Sequence, residues 1–188
     1  EPQTIFKEIS SLLPAHTLSL GDGSVVQRRY WDLPYPKETG ASLEDLCQEL
    51  LSHLRLAVKR RMISDVPLGV FLSGGLDSSI VTALMAEESV LPVKTFAIGF
   101  REASYDESRY AKIVAQAYAT EHHEEILDAS ECADLLPDIV RQMDVPMADA
   151  SVAPTYLLSK ITRRNVTVAL GGDGSDELFA GYENYAAY

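Results

Sequence analysis

The sequence predicts an α/β domain built on a parallel sheet, and two patterns carry that reading. Short apolar runs bounded by glycine alternate with longer segments whose apolar residues recur at helical spacing. Twice, around 70–79 and again around 166–177, an apolar strand runs into a glycine turn and then into a polar helix start. Strands alternating with helices imply parallel pairing through crossover helices. In such sheets ligands bind at the carboxyl ends of the strands. Three strand ends then define the expected site: Leu72-Ser73, Ile98-Gly99 and Leu170-Gly171.

The totals set limits on function. The chain has 188 residues, enough for one good domain and an appendage, and 46% apolar residues, which fits a folded globular protein. A net charge of −12 opposes nonspecific binding to nucleic acid or to an anionic membrane. No nucleic-acid or membrane partner is therefore expected. No apolar run reaches the roughly 18 residues of a membrane span, and no signal peptide is read, so the expected location is cytoplasmic. Cys47 and Cys132 lie in no metal or redox motif and read as thiols of a reducing compartment. Asn165-Val166-Thr167 matches a glycosylation sequon but has no secretion signal behind it.

Taken in order, His16 to Leu20 alternates, Gly21-Asp22-Gly23 is a turn signal, and Val25-Val26 with Arg28 to Trp31 reads as the return strand. Such a hairpin buries too little to stand alone. Leu33-Pro34-Tyr35-Pro36-Lys37 is a linker by composition, so 1–36 is separated from 37–188. A helix begins after Ser42 as N-cap, with Asp45 at its third position and Leu43, Leu46, Leu50, Leu51, Leu54 and Val58 on one face. Lys59-Arg60-Arg61 suits its C-terminus by the dipole argument, and that use is preferred to a binding patch. Val70 to Leu72 is a strand, and Ile80 to Glu88 is a helix opened by Asp77 or Ser78. Val93 to Phe100 is the next strand. A helix over Glu107 to Ala119 follows, capped by Ser104 or Asp106. His122 to Leu127 is a strand whose adjacent histidines face opposite sides and so do not chelate one ion. Ala129 to Arg141 and Pro154 to Arg164 are helices around an acidic loop holding Asp144 and Asp149, and Val166 to Leu170 is a buried strand.

The first glycine turn carries the chemistry. Ser73-Gly74-Gly75-Leu76-Asp77-Ser78-Ser79 aims backbone N–H groups at an anion, and its hydroxyls add donors without bulk. It is not a Walker A loop, because an Asp stands where that loop needs Lys before Ser or Thr. A carboxylate beside a phosphate makes sense with a divalent cation between them, and Mg²⁺ is the hard, oxygen-binding candidate. The loop points to Mg-pyrophosphate or to the β,γ end of Mg-ATP. The bland alternative is an ordinary strand–helix turn with Asp77 or Ser78 as N-cap.

Leu170-Gly171-Gly172-Asp173-Gly174-Ser175-Asp176-Glu177 repeats that logic. Its acids cannot all be caps, and like charges crowded at one strand end need a cation or donors nearby. Acids favoured by a helix dipole are the competing explanation. The loop is neither a dinucleotide fingerprint nor an EF-hand.

Together these stretches resemble the synthetase domain of glutamine-hydrolysing asparagine synthetase, within the PP-loop ATP pyrophosphatases. The matching pieces are Ser64-Asp65-Val66-Pro67 with Gly69 and the first loop, Phe96 to Phe100, Tyr105-Asp106-Glu107, His122-His123-Glu124, and Gly172 through Tyr182 with its Leu-Phe-Ala-Gly-Tyr ending. The wording is especially similar to asparagine synthetase-like amidotransferases found with exosortase or exopolysaccharide systems. The resemblance implies a three-layer, Rossmann-like adenine nucleotide alpha hydrolase fold. It makes 1–36 the tail of a glutaminase domain with its linker. It implies that a carboxylate, aspartate or a related acceptor, attacks the α-phosphorus of ATP. The acyl-adenylate then reacts with ammonia supplied from glutamine by a glutaminase domain. A homodimer is allowed for the full-length protein.

By the same resemblance, Leu72 and Ile98 hold the adenine, Gly171 and Gly172 line the nucleotide pocket, and Ser73, Gly74, Gly75, Asp77, Ser78 and Ser79 hold pyrophosphate. Asp77 and Asp176 ligate Mg²⁺, and Asp173 takes the place of an acid that assists the intermediate. Asp144 and Asp149 are candidates for the acceptor side. Asparagine synthetase usually reads Ser-Gly-Glu-Gly-Ser-Asp-Glu where this chain has Gly171 to Glu177. Asp for Glu shortens the reach by one bond, about 1.5 Å, which bears on which acceptor fits. The family's N-terminal catalytic cysteine does not stand at Glu1, so this piece is expected not to hydrolyse glutamine. Its further active-site residues, including a lysine, are expected beyond Tyr188. Two other readings remain at this point: a noncatalytic nucleotide-binding module, and another PP-loop adenylating enzyme. The absence of Gly-x-Ser-x-Gly excludes an α/β-hydrolase.

Overall fold

The computed structural model describes residues 2–35, 39–101 and 106–187. Pro36 and Lys37 of the linker, Ser104 as a cap, Tyr105 of the matching motif, and the two chain ends Glu1 and Tyr188 lie outside the described residues. The chain forms two compact units, Glu1–Ser42 and Leu43–Tyr188.

The first unit is a hairpin with short flanks. Strand β1 (His16–Gly21) pairs antiparallel with β2 (Ser24–Arg29), and Gly21 faces Ser24 across a two-residue turn. Asp22 and Gly23 both adopt positive φ, 48° and 72°. That is the type I′ geometry whose twist matches the flanking strands. The return strand stops at Arg29, short of the expected Trp31. Every residue of β2 is exposed.

The second unit is a four-stranded parallel sheet with helices on its faces. Its elements are α1 (Leu43–Arg61), β3 (Leu68–Phe71), α2 (Leu76–Glu88), β4 (Lys94–Phe100), α3 (Ser108–Ala117) and β5 (Glu121–Leu127). They continue with α4 (Ala129–Gln142), α5 (Val152–Thr162), β6 (Val168–Leu170) and α6 (Ser175–Phe179), and a 3-10 turn (Glu183–Ala187) ends the chain. The sheet order is β5-β4-β3-β6, and all of its pairings are parallel. The first strand of this unit, β3, therefore sits between the strand before α3 and the strand before α6. Both glycine turns leave neighbouring strands at the same end.

Two clusters make up the core beside β3. Val70 and Leu72 point to one face, as residues two apart in a strand must. Val70 packs with Leu84 and Met85 of α2 and Val58 of α1. Leu72 packs with Ala97 of β4 and with Ala111 and Ala115 of α3. Small residues on α3 let that helix approach the sheet closely. The amphipathic pattern of α1 engages only near its C-terminal end, where Val58 is buried; Leu43, Leu46, Leu50 and Leu51 remain exposed.

Helix starts depart from expectation in one instructive way. The helix after the first glycine turn begins at Leu76, with Gly75 as N-cap and no side-chain cap. Neither Asp77 nor Ser78 caps it, although both residue types are favoured there. The double glycine turn brings the backbone into helix before either can act. At α3 the N-cap position falls on Glu107, which makes no side-chain cap, so the expected Asp106 does not cap this helix. Asp106, just before it, instead accepts from the Ser108 N–H and hydroxyl at 3.1 Å each and from the Phe100 N–H at 3.3 Å.

These bonds hold the Asp106 carboxyl below its ordinary range, Ser108 being the main cause. Asp128, which caps α4 through the Ser130 N–H, is lowered in the same way. A depressed carboxyl stabilises the fold fully above the ordinary carboxylate pKa of about 4 and loses that contribution as pH falls through its lowered value. The expected result is a melting temperature that falls more steeply below about pH 4 in the native chain than in Asp106→Asn. Thermal scans across pH 2–6 check this.

Candidate nucleotide-binding site

A cavity of about 450 Å³ opens at the carboxyl ends of β3, β4 and β6. It is lined by Leu72, Ser73, Gly75, Asp77 and Ser78 from the first turn, Ile98 from β4, and Gly171, Gly172, Asp173 and Asp176 from the second. Of the residues expected to hold the nucleotide and its cation, Gly74 and Ser79 are the two that do not line it. Both instead shape the turn.

Gly74 has φ +88°, and a Cβ there would stand 2.5 Å from the Tyr110 Cβ and 2.6 Å from the Tyr110 carbonyl carbon, and against the Ala111 nitrogen. The turn is therefore pressed onto the backbone of α3, and only glycine fits. Within the turn the Ser73 N–H donates to Ser78 Oγ at 3.3 Å, and the Gly75 N–H donates to Ser73 Oγ at 3.2 Å. The Ser78 and Ser79 hydroxyls both donate to the Gly75 carbonyl, at 3.2 and 2.6 Å. These bonds hold the turn but leave the start of α2 without a side-chain cap. The orphan amides at such a start are a ready anion site, reinforced by the helix dipole.

The second turn lies directly on the first. A Cβ on Gly172 would come within 3.0 Å of Asp77 Cβ and 3.1 Å of the Ser78 nitrogen. Asp173 folds its carboxylate back over Gly171. Asp176 faces the cavity from α6, whose start is turned by Gly174 at φ +88°. Glu177 is used differently: it accepts from the Tyr182 hydroxyl at 2.8 Å, and this bond raises the Tyr182 phenol above its ordinary pKa. The acids of the second loop are thus divided between the cavity and the surface.

The remaining walls escaped the sequence reading. Phe71, Phe96, Ala97 and Phe100 come from strands, Pro154, Thr155 and Leu158 from α5, and Glu107 from the start of α3. All of these but Thr155 and Glu107 are apolar. The polar lining adds Ser73, Ser78, Asp77, Asp173 and Asp176, and no Lys or Arg among the described residues lines the cavity. Neither Asp144 nor Asp149 lines the cavity, and the Asp149 carboxylate accepts from the Ser151 N–H at 2.8 Å.

Among the described residues no three His, Cys, Asp or Glu side chains converge on a metal-sized point. That still fits Mg²⁺, which takes one or two protein carboxylates and completes its shell with phosphate oxygens and water. Asp77 and Asp176 both line the cavity. His122 and His123 diverge as expected: His122 Nδ1 lies 2.9 Å from Thr95 Oγ1, while His123 stacks on Phe96. Neither Cys47 nor Cys132 forms a disulfide, and no helix among the described residues is long and apolar enough to cross a membrane.

Comparison with known proteins agrees with this geometry. Asparagine synthetase [glutamine-hydrolyzing] 1 of Bacillus subtilis is 34% identical over 98% of this chain and 29% of its own length. A Methanocaldococcus jannaschii protein that carries the same enzyme's name is 41% identical over 96% of this chain and 35% of its own. The chain spans about a third of the length of these curated relatives. Its overlay on the NH3-dependent NAD synthetase of Campylobacter jejuni is looser, with a TM-score of 0.46 and 17% identity over 76% of this chain and 61% of that one, so the family rests on sequence. The asparagine synthase family model matches residues 49–188, well over half of the chain, and the chain belongs to that family.

Proposed function

We propose that this chain is the ATP-binding, adenylating part of a ligase that amidates a carboxylate through an acyl-adenylate. The observation that carries the reading is the uncapped start of α2 opening into a cavity shared with Asp77, Asp173 and Asp176. An anion-seeking helix start and a group of carboxylates make sense together when the anion arrives with its own cation.

The triphosphate lies over the first turn, where the α2 amides and the Ser73 and Ser78 hydroxyls meet its oxygens. The adenine lies against the apolar lining, between Leu72 and Ile98 on the sheet and Pro154 and Leu158 on α5. Asp77 and Asp176 would hold Mg²⁺, which when bound would supply neutralisation of the charge that gathers on the leaving pyrophosphate. The turn's own contribution is a set of fixed dipoles aimed where that charge develops. The acceptor carboxylate approaches the α-phosphorus from the opposite side, and Asp173 borders that approach. Acid-lined walls repel a bare carboxylate, so the acceptor's countercharge comes from the cation or from residues outside this cavity. Aspartate or a related acid is the acceptor in this reading, and ammonia comes from a glutaminase domain of the whole protein.

Isothermal calorimetry tests it. ATP with Mg²⁺ should bind the folded chain in the range of about 1 μM to 1 mM usual for enzyme substrates, and ATP in EDTA should bind far more weakly. A folded chain that takes up ATP in neither condition would overturn the reading.

A further inference from the structure

A buried polar chain crosses the sheet edge behind the phosphate turn. The register sets Thr95 of β4 opposite His122 of β5, and Ala97 opposite Glu124. Thr95 is fully buried, and its hydroxyl lies 2.9 Å from both Thr120 Oγ1 and His122 Nδ1. Glu124 Oε1 pairs with Lys112 Nζ of α3 at 2.9 Å. The chain is broken at one link. His122 Nε2 and Glu124 Oε2 are both buried without a hydrogen bond, 3.8 Å apart. Thr95, His122 and Glu124 follow one another as in a hydrolytic triad, but a threonine that no solvent reaches attacks no substrate. The network must act on the fold.

Glu124 has two candidate partners, and it is paired with Lys112. Burial lowers the His122 pKa, Lys112 adds to that effect, and Glu124 opposes it. His122 therefore stands neutral at pH 7, and the Glu124 charge is answered from α3. A half-buried carboxylate with one orphaned oxygen is a poor source of net stability, since such pairs lose much of their attraction to desolvation. What it does supply is a fixed geometry. Lys112 directly follows Tyr110-Ala111, the stretch of α3 backbone against which Gly74 turns. The ion pair and the backbone that meets the phosphate turn thus lie within a single turn of α3.

We propose that Glu124 is a positioning residue for the phosphate turn: through Lys112 it fixes the part of α3 that backs Gly74. The functional half of this inference rests on the nucleotide reading above; the structural half does not. Two readouts on the 188-residue chain separate them. Hydrogen exchange reports the turn without ligand, through the bonded amides of Ser73, Gly75 and Ser79. Calorimetry reports affinity for Mg-ATP.

In Glu124→Gln and Lys112→Gln the turn amides should exchange about tenfold faster, and Mg-ATP should bind about tenfold more weakly, as expected when a binding group is displaced slightly. Lys112→Arg keeps the charge and should restore both. Glu87→Gln breaks a different ion pair, to Arg55 at 2.7 Å, and should change neither. Should Glu124→Gln fail to fold, Lys112→Gln decides alone, because the Lys112 side chain is 52% exposed. Unchanged exchange in the folded variants would overturn the proposal, and so would equal acceleration in Glu87→Gln. Faster exchange in a chain that never binds ATP would support the coupling and overturn the nucleotide reading.

Discussion

Replacing Gly74 by alanine should abolish nucleotide binding and lower the melting temperature by roughly 10 °C. Two effects add at this position. A residue with a Cβ in the left-handed region costs about 1–2 kcal/mol, and overpacking adds about 1–3 kcal/mol. The second term is severe here because the atoms in the way are α3 backbone at Tyr110 and Ala111, not a side chain that can swing aside. Relief requires the turn to lift off α3, which moves the start of α2 and the Ser73 and Ser78 hydroxyls with it. At about 2–4 °C per kcal/mol for a chain of this size, the melting shift follows. Gly174 is the internal control. It has the same φ of +88°, but nothing lies within 4 Å of its would-be Cβ. Gly174→Ala should show the strain without the clash, so its melting shift should be less than half as large. Scanning calorimetry of both variants, with ATP titrations of each, makes the comparison. Equal shifts would mean that contact with α3 contributes nothing.

The order of strands and helices was legible because each depends on local pattern. Val70 to Leu72, Val93 to Phe100 and the segments between them carry their own period, and crossover geometry does the rest. The polar lining from the two turns was legible for the same reason. Ser73 to Ser78 and Gly171 to Asp176 each announce a turn at a strand end, and a parallel sheet puts strand ends together. What the pattern could not supply is whatever depends on which helix crosses where. Pro154, Thr155 and Leu158 read as an ordinary helix start, yet α5 brings them over the sheet as the apolar wall. Glu107 reads as helix and lines the cavity. Gly74 reads as a flexible turn residue, while its actual constraint is a contact with a helix more than thirty residues on. The misplaced cap at α2 has the same origin. Asp and Ser are favoured caps in isolation, but the pair of glycines and the press of α3 determine where the helix begins.

Asp77→Asn should weaken Mg-ATP binding by at least about 100-fold, the scale on which losing even an outer partner of a metal site begins to tell. The same change should leave metal-free ATP bound as well as before, or better. The opposite signs follow from the charges around the cavity. With Asp77, Asp173, Asp176 and Glu107 lining it and no Lys or Arg among the described lining residues, bare ATP meets repulsion from every ionised wall. Removing one carboxylate relieves part of that repulsion while deleting a ligand that the Mg complex needs. Asn is nearly isosteric and keeps one oxygen, so the contact between Asp77 Cβ and Gly172 survives and the two turns stay together. Asp176→Asn should behave alike, because Asp176 lines the same cavity from α6. Glu177→Gln should not, because that side chain is turned away to the Tyr182 hydroxyl. If the acids served only the dipoles of α2 and α6, Asp77→Asn would lose a little helix stability and would change ATP binding equally with and without Mg²⁺. Paired titrations in Mg²⁺ and in EDTA distinguish the two cases: a difference that collapses in Asp77→Asn and Asp176→Asn places the cation between them, and parallel shifts in both media rule it out.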